Sequence, residues 1–123
     1  MGGIEMTEQK KTWVTHNDRK ISTWQTCGKG QIRADYDAIV RAFGPPLVYT
    51  GSPDSDGKVD WSWFVEFDCG TVATIYNWKD GPGYGHNVGP DRINTWQIGG
   101  AWKGPRIMSV DLVSRALGVQ AIL

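Results

Sequence analysis

Between Trp61 and Phe67 the chain reads Trp-Ser-Trp-Phe-Val-Glu-Phe. After Asp68-Cys69-Gly70-Thr71 it resumes with an apolar run from Val72 to Tyr76, followed by Asn77, Trp78 and Lys79. Large rings at every second position fit a strand with one buried face and do not fit a helix. Two such runs separated by a short turn containing Gly form a β-hairpin, with Gly70 supplying the positive φ of the loop. If Cys69 and Gly70 alone form the loop, Phe67 faces Val72, Val65 faces Thr74 and Trp63 faces Tyr76. The aromatic face is then Trp61, Trp63, Val65, Phe67, Val72, Thr74, Tyr76 and Trp78, and the other is Asp60, Ser62, Phe64, Glu66, Ala73, Ile75 and Asn77. A slip of one residue would exchange the faces of one strand relative to the other, so the register carries most of the fold information.

The flanking segments supply the other layer. Tyr36, Ile39, Val40 and Phe43 recur at spacings of three and four, predicting a helix over 34–43 that stops at Gly44 and the Pro45-Pro46 pair. Met108, Leu112, Val113, Ala116 and Leu117 mark a second and last helix over 108–118, with Ser109 as its cap and Gly118 as its end. Extended segments are expected at 47–49 and 93–98, the latter ending at Gly99-Gly100. Short strands at 12–16 and 21–26 are expected around a turn at Asn17-Asp18-Arg19, and Cys27-Gly28-Lys29-Gly30 is expected to break the chain. With 123 residues there is one core's worth of chain. The expected fold is α+β: a small antiparallel β-sheet built on the Trp-rich hairpin, with two helices packed on one face. Residues 1–30 are expected to form a polar, basic N-terminal extension with possible short strands, and residues 31–123 the single α+β domain.

Charge narrows the function classes. Thirteen basic and thirteen acidic side chains cancel. Residues 1–33 carry six Lys or Arg against three acids, and residues 51–80 two against six. That is too little basic charge for a phosphate-backbone binder, so direct DNA binding is not expected. The longest apolar runs are too short to span a bilayer, no secretory leader opens the chain, and a cytosolic location with free Cys27 and Cys69 is expected.

Catalytic signals are sparse. His16 and His86 lie in polar and glycine-rich stretches, and no nucleophile elbow or complete phosphate-binding loop is present. Asp54, Asp56, Asp60, Glu66 and Asp68 read as a solvated acidic face, although Asp54-Ser55-Asp56-Gly57 has a slight likeness to the start of a calcium loop. Neither an enzyme nor a cofactor is expected. The aromatic residues at strand ends point elsewhere. Trp78 and Trp96, with Tyr84, Lys79, Arg92 and Asn77, flank the glycine-rich loop 80–90 and would make a pocket rim in which rings stack on a base and cations meet phosphate. The alternative is that Trp78 and Trp96 close the end of the core. A loop of this length in a small domain is more often functional than decorative.

Ala42-Phe43-Gly44-Pro45-Pro46, Lys58-Val59-Asp60, the run from Gly70 through Tyr76-Asn77-Trp78-Lys79-Asp80 to Pro82, and Trp96-Gln97-Ile98-Gly99-Gly100 together resemble a group of small bacteriophage-encoded proteins. The resemblance covers residues 34–118. It implies an inhibitor of bacterial immunity acting in the host cytoplasm. One form is a homo-oligomeric sponge for a cyclic nucleotide or ADP-ribose-type signal, similar to those opposing the Thoeris system. The other is an anti-CRISPR-like blocker of a host defence protein, using the hairpin face with Phe64 and Ile75 exposed and the basic N-terminal arm. An uncharacterised structural phage protein remains the third possibility.

Overall fold

The hairpin forms, and its loop is one residue longer than the sequence suggests. In the computed structural model, which describes residues 13–15, 26–49, 57–68, 70–86, 88–101 and 108–122, the two strands are β4 (Trp61–Phe67) and β5 (Val72–Tyr76). The Phe67 N–H donates to the Thr71 carbonyl at 2.9 Å, and the Gly70 N–H donates to the Phe67 carbonyl at 2.8 Å. Gly70 sits at φ 89°. This is a three-residue loop closing on a left-handed glycine, a common hairpin connection alongside the two-residue turn. The register is therefore Trp63 opposite Ile75, Val65 opposite Ala73 and Glu66 opposite Val72.

The extra residue corrects the expected faces of β5. Ala73 and Ile75 join Trp61, Trp63, Val65 and Phe67 in the core. Val72, Thr74 and Tyr76 turn to the other face, opposite Glu66, Phe64 and Ser62. Phe64 and Ile75, expected to be exposed on the polar face, are both buried.

Around the hairpin the sheet has seven strands, all paired antiparallel. Its order is β1 (Trp13–Thr15), β4, β5, β6 (Thr95–Ala101), β2 (Thr26–Arg33) and β7 (Ala121–Ile122). β3 (Leu47–Val48) pairs with the opposite end of β4 from β1. β1 and β2 therefore lie far apart in the sheet and do not pair with each other, and the turn expected at 17–19 lies outside the described residues, as does most of 21–26. The break expected at 27–30 is instead part of β2. Its ladder with β6 runs from Thr26–Ala101 to Arg33–Thr95, and the register shift between Gly28 and Gly30 absorbs the irregularity as a bulge. Gly99 and Gly100, expected to end β6, lie within it opposite Gly28 and Cys27. Glycines opposite one another leave no side chains to clash, so pairing outweighs their weak strand preference. β7 has no counterpart among the sequence expectations; two residues are too few for a periodic signal.

The helices are α1 (Tyr36–Phe43) and α2 (Met108–Leu117). α1 presents Ile39 and Phe43 to the core, with Tyr36 and Val40 packed beside them, and it ends at Gly44, whose N–H donates to the Val40 carbonyl at 2.8 Å. α2 packs Val110 and Val113 on β6, β2 and β5. Ser109 lies inside its first turn and does not cap it; its buried hydroxyl meets no partner among the described residues. Gly118 ends the helix at φ 68°.

Rings join the two layers. The Trp63 indole N–H donates to the Gly44 carbonyl at 2.7 Å, and that of Trp96 donates to the Ala34 carbonyl at 3.1 Å. The two indoles meet edge to face with centroids 5.3 Å apart, and Tyr36 packs against both. Trp13 closes the far end against Phe43 and Phe67. Buried indoles with a satisfied N–H combine large apolar burial with a directional anchor.

Candidate functional site

Beyond Tyr76 the alternation of β5 continues for two residues and sets up the site. Asn77 points to the core side and is 0% exposed. Trp78 follows Tyr76 to the opposite side, is 45% exposed, and meets the Tyr76 ring edge to face with centroids 6.3 Å apart. A two-residue loop would have reversed both placements. The third loop residue is thus what buries the amide and displays the indole.

Asn77 is the anchor of the glycine-rich loop. Its Oδ1 accepts from the backbone N–H groups of Asp60 at 2.8 Å and Trp61 at 3.0 Å. Its side-chain amide donates to Asp60 Oδ2 at 3.2 Å and to Asp80 Oδ1 at 2.9 Å. All four hydrogen-bonding positions of the amide are used. Asp60, expected on a solvated face, is 1% exposed. Its Oδ1 accepts from the Gly83 N–H at 2.9 Å, and its carbonyl accepts from the Tyr49 N–H at 2.8 Å. A buried carboxylate is tolerated because backbone and amide donors surround it. The loop closes tightly over this node. A Cβ at Gly81 would collide with Asp60 Oδ2 and lie 2.9 Å from Asn77 Nδ2.

From this base the loop displays its rings. Pro82–Tyr84 forms a 3₁₀ turn that leaves Tyr84 48% exposed. The Tyr84 ring lies nearly parallel to His86, at 12° with centroids 6.5 Å apart. Lys79 joins the two exposed rings. Its ammonium lies 5.4 Å from the Trp78 centroid and 5.8 Å from that of Tyr84, and the Lys58 ammonium lies 5.9 Å from the Trp78 centroid. The Lys79 N–H donates to the Lys58 carbonyl at 2.7 Å, fixing the two lysines side by side. Lys79 has φ 61° and is the one non-glycine residue with positive φ among those described. That backbone costs a lysine about 1 kcal/mol or somewhat more.

The expected site residues thus separate into four placements. Trp78, Lys79 and Tyr84 come together on the surface. Asn77 lies beneath them as a support. Trp96 is the second residue of β6, 0% exposed and wholly within the core. Arg92 is exposed at the end of the 3₁₀ turn Pro90–Arg92, which packs beside α1. Lys58, His86 and Asp60 belong to the assembly and were not expected there. His86 and Lys58 had a signal in their place beside the loop and the strand start. Asp60 had none, because a carboxylate followed by Trp61 reads as solvent-facing until its partner across the sheet is known.

Among the described residues no group of three or more His, Cys, Asp or Glu is placed to hold a metal ion, and no helix is long and apolar enough to cross a membrane. His16, Asp54, Asp56 and the N-terminal arm before Trp13 lie outside the described residues. No protein-family model, curated protein or solved structure matches this chain.

Proposed function

We propose that this is a non-enzymatic binding protein that holds a nucleotide-type ligand on the Trp78–Lys79–Tyr84 surface without turnover. The observation that carries the reading is the backbone of Lys79. A lysine in the left-handed region is disfavoured, yet this one spans two exposed rings on a loop locked at its base. Local strain over a rigid support is characteristic of binding and catalytic positions. An exposed indole and phenol offer π faces to a base, and the adjacent ammonium offers a partner for phosphate. The lysine stems are long enough to swing aside as a base stacks.

Set beside the resemblance to bacteriophage proteins, such binding would sequester a nucleotide-derived immune signal, a cyclic nucleotide or an ADP-ribose-type molecule, in the host cytoplasm. A homo-oligomer would enclose such a ligand more completely than one exposed face can.

A thermal-shift screen against cyclic ADP-ribose isomers, cyclic di- and trinucleotides and common nucleotides, followed by native mass spectrometry, tests the proposal. A ligand held at 100 times its Kd stabilises the folded state by about 2.7 kcal/mol, which in a domain of this size raises Tm by about 10 °C. The expected result is such a shift with the ligand recovered intact. No shift across the panel, or recovery of a cleaved product, contradicts it.

A further inference from the structure

The face that carries Trp78 continues across the sheet. Tyr76, whose ring meets Trp78 with centroids 6.3 Å apart, stands opposite Gln97 of β6, and Gln97 stands opposite Gln31 of β2. Gln97 lies between the core residues Trp96 and Ile98, and Gln31 precedes Ile32; those three neighbours are 0% exposed. Strand alternation therefore puts both glutamines on the side away from the core, with Tyr76 and Trp78. Directly opposed residues have Cβ atoms about 5 Å apart, so the two amides follow Tyr76 in one row at the spacing of the strands. Each glutamine is half-buried, and among the described residues neither side-chain amide has a hydrogen-bond partner. On the other side of Tyr76 the row ends differently: Ser62 is buried, with its hydroxyl 2.9 Å from that of Tyr49.

Stacking on Trp78 and Tyr84 does not tell one base from another, because every base has a π face. A carboxamide does, since its carbonyl accepts and its NH₂ group donates side by side. At the N7 edge of a purine, adenine offers the N6 amino donor beside the N7 acceptor and pairs with glutamine through two hydrogen bonds. Guanine offers two acceptors there, N7 and O6, and leaves the carbonyl of the amide unmatched. We infer, resting on the reading above, that the ligand is an adenine nucleotide, with Gln97 reading the N7 edge of the base while Trp78 takes its ring face. Gln31 lies one strand further from the indole and is the comparison residue.

The test is a calorimetric titration of the full-length protein with AMP, ADP, GMP, GDP and the 7-deaza analogues of AMP and ADP, at fixed salt. Adenine nucleotides are expected to bind at least about ten-fold more tightly than the guanine ones, and replacing N7 by carbon should cost a similar factor. In Gln97→Met both differences should fall to about two-fold or less, with Tm within a few degrees of the parent, because the replacement is of similar length on a half-buried face. Gln97→Glu keeps an acceptor but loses the donor to N7, so it too should lose the 7-deaza effect. Gln31→Met should leave both differences largely in place. Adenine and guanine nucleotides bound equally well by the parent would overturn the adenine inference and leave the stacking reading intact. A preference that survives Gln97→Met, or one abolished by Gln31→Met instead, would overturn the assignment to Gln97. Failure of every compound to bind would remove the nucleotide reading itself, and the inference with it.

Discussion

Asn77 is the residue on which the site depends most. It ties the start of β4 to the end of β5 and to the glycine-rich loop through four hydrogen bonds. Asn77→Ala would orphan the Asp60 and Trp61 N–H groups and strip donors from two carboxylates. Each buried polar group left without a partner costs about 1–3 kcal/mol, so a loss of about 3–5 kcal/mol is expected by urea denaturation. Gly81→Ala should cost a comparable amount, because the new methyl has no room beside Asp60. Gly70→Ala provides the contrast. Its Cβ would meet nothing within 4 Å, so only the positive φ is penalised, at about 1 kcal/mol. Equal costs at 81 and 70 would mean that the node beneath the loop is not packed as described.

At the scale of elements, the loop of the hairpin decides which side chains are displayed. Deleting Thr71 while the three-residue loop 68–70 is kept would put Val72 opposite Phe67 and shift β5 by one position. Ile75 and Asn77 would then turn outward while Tyr76 and Trp78 turned towards the core. The expected outcome is loss of cooperative unfolding and of the near-ultraviolet circular dichroism of the packed indoles. A deletion variant that still unfolds in one sharp transition, at a similar midpoint, would show that the register is not fixed by the loop. The tryptophans should separate accordingly. Trp63→Ala should cost about 3–5 kcal/mol, with cavity formation and a lost indole anchor, whereas Trp78→Ala should stay within about 1 kcal/mol.

Much of this was legible in the sequence, and the failures share one cause. The two helices, the Trp-rich strand and the glycine that turns the hairpin are local patterns, and they sit where periodicity puts them. Both two- and three-residue loops accept Gly70 at their end, so the local signal could not choose between them. The choice depends on how Ile75 and Ala73 fill the core against Ile98 and the helices, which is a tertiary fact. The same slip misassigned Asn77 as solvent-facing and left Trp78 and Trp96 looking equivalent, although one is displayed and the other sealed under Tyr36. Gly28 and Gly99 read as breaks because glycine lacks a strand propensity, and only their mutual pairing makes them strand residues.

Seen whole, the molecule keeps the indoles among its described residues in two populations. Trp63 and Trp96 are sealed between sheet and helices with their N–H groups bonded to backbone carbonyls, whereas Trp78 stands on the opposite side beside two lysines. The polar node under the loop links the populations mechanically without mixing their roles: Trp61, whose N–H Asn77 holds, belongs to the core. On the proposed function, Trp78 is displayed for a nucleotide-type ligand while the core indoles serve only the fold. The most direct test is an NMR titration that follows the indole N–H signals of ¹⁵N-labelled protein as the best-binding nucleotide is added to saturation. The expected result is a large, saturable shift of the Trp78 signal, with those of Trp63 and Trp96 unmoved. Saturation with the Trp78 signal unchanged, or a shift centred on Trp96, would contradict it.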